Sequence, residues 1–232
     1  MCAYKHSPEA LESAKNIIGK KIERESAFLR RNHKAAFIPN FSTAAHLKDL
    51  LLVEARAAHH FWRAYKDLLP EWTLFAGRVQ RGNDVVNRLL DVGYHHLTTI
   101  VRTYLKERDV PTSLALLHVP RESTSDPLVY DLVELFRADI VDTELLRFMN
   151  LKKEPISEVD SEIPHFLHEL NERLARLHYL ASFCQCHTYR YYMELQMLAF
   201  IYAVNHKKRF VPIRIPDRHD SRCLTPVTPM LE

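Results

Sequence analysis

A chain of 232 residues, 47% of them apolar, fits one domain or one domain with a small appendage, and it has the material for a sizeable core. Only 4 residues are glycine, against a usual share of about 7%, which argues against a turn-rich β protein and for helices. A formal charge of +3, with 14 histidines counted as neutral, and a pI near 8.6 permit an acidic partner such as nucleic acid without demanding one.

The N-terminus carries Lys5, His6, Glu9, Glu12 and Lys15, so no apolar signal-peptide core is expected. No apolar run approaches the ~20 residues of a membrane span. A cytoplasmic protein with thiols at Cys2, Cys184, Cys186 and Cys223 is the expectation. Ser7-Pro8-Glu9 reads as a helix start, with a cap, a proline at the first helical position and an acid in the first turn. That helix runs to about Arg31 with Leu11, Ala14, Ile18, Ile22 and Leu29 on one face. A linker spans 33–41. Ser42 then caps a second helix that ends at Leu69, before Pro70. A third helix starts near Asn83-Asp84 and carries Val86, Leu90, Leu97, Val101 and Leu105.

Leu114 to His118 reads as a short helix and 119–125 as a polar loop. Asp126-Pro127 opens one long helix to about Met149. The stretch from Pro155 to Pro164 reads as a linker, followed by helices at about 165–182 and 188–208. From Phe210 onward Pro212, Pro216, Pro226 and Pro229 rule out helix, and an extended or partly disordered tail is expected. The predicted fold class is therefore all-α: a helical catalytic domain over 1–209 with a proline-rich tail over 210–232. Alternating strand patterns are absent save at Phe210 to Ile215.

Four places carry chemistry. Glu54 falls in the register of Leu47, Leu50, Ala57, Phe61, Tyr65 and Leu68, the buried face of the second helix. A carboxylate on such a face needs a partner, because an unpaired buried charge is costly. His118 ends the apolar run LALLHVP, where a lone histidine is more often structural. Asp131 and Glu134, three residues apart, share a helical face and repel unless water or a cation sits between them. Cys184-Gln-Cys186-His187 has the look of a metal clip, but no second cysteine pair follows, and residues two apart point to different sides of a helix. One imidazole and two or three carboxylates make a mixed N/O ligand set for Mn²⁺ or Mg²⁺ in hydrolytic or phosphoryl chemistry. Spacing alone does not bring the three segments together.

Several blocks in order carry a resemblance. They are Glu54-Ala-Arg-Ala-Ala-His-His-Phe-Trp, Phe75-Ala-Gly-Arg78, Asp84 through Asn87 to Tyr94, Leu117-His118, Leu128 through Asp131 and Glu134 to Arg137, and Val141-Asp142. In order and spacing they resemble the CRISPR-associated endonuclease Cas1, the integrase of the adaptation module, over about 20–150 and more loosely to Lys208. The resemblance implies one Mn²⁺ or Mg²⁺ held by Glu54, His118 and Glu134, with Asp131 supporting the site. It implies cleavage of double-stranded DNA and joining of the 3′-OH ends of a short spacer to a CRISPR repeat by transesterification. It also implies a homo-oligomer bridged by the small partner Cas2. Arg78 and Arg137 would contact phosphate or brace the acids. Asn87 and Tyr94 would be structural, and the run His206-Lys-Lys-Arg209 would follow a DNA backbone or form a solvated helix end.

Two departures stand out. With a first helix read from Ser7, the β domain that family members carry before the helices is not expected here, which would change the dimer, the pairing with Cas2 and the spacer length. The glycine that often precedes the histidine is Leu117. The readings that remain beside an integrase are a non-catalytic DNA-binding subunit and a branched-DNA repair nuclease with the same metal site.

Overall fold

The computed structural model describes residues 4, 7–41, 46–114, 116–117, 126–180 and 185–213. Helix α1, Pro8–Arg31, begins where the sequence places it: Ser7 Oγ accepts the Ala10 N–H at 3.2 Å and Pro8 opens the first turn. It is a central helix, with Ile17, Ile18, Ile22, Phe28 and Leu29 all buried. Helix α2, Leu47–Lys66, packs along it through Leu50, Ala57, Phe61 and Tyr65. Their seam is aromatic. The Phe28 ring lies 5.5 Å from both Phe61 and Tyr65, and Trp62 meets Tyr65 edge-on at 5.3 Å. The predicted cap Ser42 lies outside the described residues, and His46 stands at the helix start instead.

Helix α3, Val85–Lys106, is capped by Asp84, whose carboxylate accepts the Asn87 N–H at 2.9 Å. It meets five other elements of the bundle through Leu89, Leu90, Leu97 and Val101. Gly93 lets α3 approach its neighbour, because a Cβ there would stand 2.6 Å from Val141 Cγ1.

The single long helix expected from Asp126 follows one path but is wound three ways. Helix α4, Pro127–Val133, tightens at 134–136, where Leu135 and Phe136 donate three residues back. A π-turn, Ala138–Asp142, then loosens the winding, and α5, Thr143–Leu151, completes the path. The short helix expected at 114–118 is not seen in its described residues: Leu114, Leu116 and Leu117 lie in irregular chain, buried, and the N–H groups of Leu116 and Leu117 are held by a side chain instead.

Helix α6, Val159–Ala175, starts earlier than expected and takes Pro164 into its second turn. Where a continuation of helix to residue 182 was expected, the chain forms a small antiparallel hairpin, β1 (Leu177–Leu180) with β2 (Gln185–Thr188). His178 pairs with His187 in the register. Helix α7, Tyr189–Asn205, follows directly, capped by Thr188. Among the described residues this hairpin is the only sheet. Residues 210–213, expected to begin the tail or a strand, are extended but docked on the core. Phe210 is buried, its N–H donates to Ser13 Oγ at 2.7 Å, and its carbonyl accepts from Asn16 Nδ2 at 2.7 Å. The remainder of the proposed tail lies outside the described residues. None of the described helices is long and apolar enough to cross a membrane.

Candidate metal centre

Glu54 faces a cation. Its Oε1 lies 2.5 Å from the ammonium of Lys21, which reaches across from α1. The same nitrogen lies 2.9 Å from Glu134 Oε2, brought in by the end of α4. Two carboxylates from chain segments eighty residues apart thus converge on one positive charge. Beside it lies a cavity of about 30 Å³, lined by Ile17, Ile18, Lys21, Leu51, Glu54, Leu117 and Glu134. That is room for a water or a small ion. Glu134 is 8% exposed in its side chain and Glu54 28%, so the site opens on the Glu54 side.

Asp131 does not join that convergence. Its carboxylate is fully buried, and Oδ2 accepts the N–H groups of Leu116 and Leu117 at 2.7 and 3.2 Å. These two bonds are the reason the 114–117 segment needs no helix: a charged side chain satisfies backbone donors that a helical turn would otherwise satisfy. They also fix the chain immediately before His118. His118 itself lies outside the described residues; Leu117, which precedes it in sequence, lines the cavity with Glu54 and Glu134.

Behind the convergence lies a layer of charge. Arg137 donates to Glu134 Oε1 at 2.5 Å and lies flat over the Tyr94 ring, 3.8 Å from its centre. The Tyr94 hydroxyl donates to Asp142 Oδ1 at 2.5 Å, and the Tyr65 hydroxyl donates to the Asp142 carbonyl at 2.8 Å. Burial pushes the Asp142 carboxyl up to about 6, with Arg137 and the Tyr94 bond opposing that shift. Burial likewise pushes Glu25 up to about 7 against the opposing pull of Lys21, with Asp142 and Glu134 adding to the rise. Burial works against the Lys21 ammonium, but the charges of Glu134, Glu25 and Glu54 together outweigh it and favour the ammonium form. The acids Glu25, Glu54, Glu134 and Asp142 thus surround two cations, Lys21 and Arg137. The cluster is short of positive charge. Burial favours the protonated forms of Glu25 and Asp142, and a divalent ion has the charge to relieve the same deficit.

The donors in place fit such an ion, since hard carboxylate oxygens suit Mn²⁺ or Mg²⁺, and an imidazole follows Leu117 in the sequence. Among the described residues no three His, Cys, Asp or Glu side chains are already arranged around one point. Two carboxylates are in place, with an ammonium between them. Cys186 and His187 make no clip: neighbouring side chains on β2 point to opposite faces, Cys186 is disulfide-bonded, and His187 stacks on Tyr191 at 4.3 Å. Cys184 lies outside the described residues.

Arg78 is tied to its own surroundings. It is ion-paired with Asp91, donates to Asn87 Oδ1 at 3.0 Å and sits 5.3 Å from the centre of the Tyr94 ring. Asn87 in turn holds the loop before α3, accepting the Val79 N–H at 2.8 Å and donating to the Gly77 carbonyl at 3.0 Å.

The family model described as "CRISPR associated protein Cas1" matches residues 1–163. The chain belongs to the Cas1 family. It is similar to CRISPR-associated endonuclease Cas1 1 of Saccharolobus solfataricus, 34% identical over 102 residues that cover 43% of this chain and 29% of that protein. It is also similar to CRISPR-associated endonuclease Cas1 3 of Thermus thermophilus, 28% identical over 172 residues covering 68% and 49%. The match therefore spans half or less of these curated relatives. In fold the chain resembles a casposase bound to its integration product, with a TM-score of 0.76 and 20% identity over 95% of this chain and 69% of that one. It also resembles a Cas1 protein from Thermotoga maritima, with a TM-score of 0.74 and 16% identity over 87% and 68%. A Cas6-RT-Cas1–Cas2 complex matches with a TM-score of 0.71 and 17% identity over 93% of this chain and 26% of that one. At these identities the structural matches establish the fold.

Lys21 and Glu25 are the site residues that sequence reasoning missed. The signal was present. Glu25 falls between Ile22 and Leu29 on the apolar stripe of α1, as Glu54 falls between Leu50 and Ala57 on α2.

Proposed function

We propose that this protein is a divalent-metal-dependent DNA integrase and endonuclease of CRISPR adaptation, which inserts short DNA spacers into a CRISPR repeat by 3′-OH transesterification. The observation that carries the reading is the convergence of Glu54 and Glu134 on a single cation beside the loop that leads into His118. Membership of the Cas1 family and a fold shared with a casposase bound to its integration product support it.

Glu54, Glu134 and His118 would hold Mn²⁺ or Mg²⁺. Bound there, the ion would polarise the scissile phosphate and offset charge on the attacking and leaving oxygens. The protein's own part is positional and electrostatic. Asp131 holds the 116–117 backbone, and with it the start of the histidine loop. Arg137 bonds Glu134 Oε1, which leaves the other carboxylate oxygen directed at the shared cation. The apolar wall of Ile17, Ile18, Leu51 and Leu117 limits water at the centre. In the reaction the spacer's 3′ oxygen forms a phosphodiester as the repeat strand's own phosphodiester breaks. One bond replaces another, and the hydroxyl proton ends on the liberated 3′ oxygen through solvent, so no external energy source is needed. The partners of this reading are the spacer and repeat duplexes, a further copy of this chain, and Cas2.

The deciding experiment is strand transfer of a labelled duplex into a repeat-containing plasmid in Mn²⁺. Glu54→Ala is expected to abolish transfer, a loss of 10²-fold or more, while far-UV circular dichroism stays that of the parent. Unchanged transfer in that variant, or full activity in a chelator, overturns the reading.

A further inference from the structure

Lys21 is held where a metal ion would sit, at 2.5 Å from Glu54 and 2.9 Å from Glu134. No reading of the site assigns it a role. One helical turn further along α1 stands Glu25, 8% exposed, whose Oε2 is buried without a hydrogen-bond partner among the described residues. A buried carboxylate oxygen left without a donor is uncommon and calls for an explanation. Residues four apart lie on one face of a helix, so the Lys21 ammonium and the Glu25 carboxylate are neighbours along α1, and each feels the other's charge.

We propose that Lys21 is an exchangeable place-holder for the catalytic cation: its ammonium bridges Glu54 and Glu134 in the metal-free protein and moves to Glu25 when a divalent ion takes its place. The inference rests on the reading of Glu54 and Glu134 as metal ligands.

Three features carry it. Without a cation between them, Glu54 and Glu134 would repel within a cluster that already holds Glu25 and Asp142; the ammonium keeps the pair assembled. A divalent ion on the same two carboxylates would lie against the ammonium, and like charges that close in a buried site drive the mobile one away. A lysine side chain has the rotatable stem for such a move, whereas Arg137 is fixed by Glu134 and by its stacking on Tyr94. The unfilled oxygen of Glu25 then gains the donor it lacks. The device makes Lys21 a positioning residue that keeps the ligands in place, and it sets metal affinity below what the bare carboxylates would give.

The test is the dissociation constant for Mn²⁺, read by electron paramagnetic resonance of the free ion, in the full chain and three variants at one pH. Lys21→Met is expected to bind Mn²⁺ about tenfold tighter or more, because the competing charge is gone. Glu25→Gln is expected to bind it several-fold more weakly, because the displaced ammonium loses its charged seat. Glu54→Gln separates the two readings: unchanged Mn²⁺ affinity there removes the metal site itself, and the place-holder with it. With affinity lost in Glu54→Gln, equal or weaker binding in Lys21→Met overturns the place-holder alone, and unchanged binding in Glu25→Gln overturns the second seat. If Lys21→Met does not fold, a crystal structure of the Mn²⁺-loaded protein decides: Lys21 Nζ beside Glu25 supports the exchange, and Nζ still bridging Glu54 and Glu134 refutes it.

Discussion

Asp131, Glu25 and Glu54 do three different jobs, and their neighbours decide which. Asp131 accepts two backbone N–H groups and is fully buried. Asp131→Ala would leave both donors without a partner, at roughly 3 kcal/mol for the pair of charge-assisted bonds. A lowered midpoint in urea would check that; on the proposed integrase reading, strand transfer should also fall out of proportion to the unfolded fraction, since the 116–117 backbone loses its anchor. Glu25 is instead a carboxyl that burial pushes up to about 7 from an ordinary 4.5. The folded state therefore binds more protons than the unfolded chain between about pH 4.5 and 7. By linkage this group's contribution is fully present below the unfolded value and falls as pH rises through the folded one. Glu25→Gln is expected to be more stable than the parent at pH 8, by on the order of 2 kcal/mol, and to lose the advantage near pH 5. Urea midpoints of the two metal-free proteins across that range provide the check, and a constant difference would refute the assignment. Glu54 belongs to neither class: partly exposed and ion-paired, it is the carboxylate open to exchange.

At the scale of elements, the helices whose caps and stripes are local were legible in the sequence. Ser7-Pro8 opens α1 and Asp84 opens α3 at the expected places, and the partner that the register of Glu54 called for is Lys21. What was not legible depends on contacts between distant segments. Nothing local marks the change of winding between α4 and α5, because residues 134 and 137 keep ordinary right-handed dihedrals and only the hydrogen-bond partners shift. Leu116 and Leu117 lie in a stretch of helical composition but yield their N–H groups to Asp131, fifteen and fourteen residues away. The hairpin at 177–188 was hidden because Leu177-His178-Tyr179-Leu180 extends the apolar pattern of α6, and pairing with β2 outweighed propensity. The approach of α3 to the π-turn gives a clear test. Gly93→Ala gains helix propensity but drives a methyl into Val141, next to Asp142, and is expected to cost about 1–2 kcal/mol net, measured by urea denaturation. A stabilised variant would show that the two elements are not pressed together there.

Over the whole molecule, the two ends of the described chain clasp each other. Tyr4 donates to the Lys208 carbonyl at 2.8 Å, and Phe210 inserts its ring 5.4 Å from Phe200 while its backbone bonds Ser13 and Asn16. The prolines beyond Phe210 signalled an end of helix correctly, but could not signal that the first residues of the segment are core. Phe210→Ala should cost about 3–5 kcal/mol, seen as a large drop in thermal midpoint. The effect should reach the candidate metal centre, since Ser13 and Asn16 stand on the helix that carries Lys21 and Glu25.

That helix is keyed from its other side as well. Arg24, adjacent to Glu25 in sequence, forms a buried two-pronged bond with Asp139 at 2.5 and 2.7 Å, and Asp139 also takes the Tyr189 hydroxyl at 3.1 Å. A two-pronged guanidinium fixes direction as well as distance, so α1 behaves as a shaft held by a key: it can neither slide along its axis nor roll about it without breaking a buried ion pair. Rigid-body motion of α1 is thereby closed off as a way of answering to what binds between Glu54 and Glu134, and the freedom left at the centre is the torsion of single side chains.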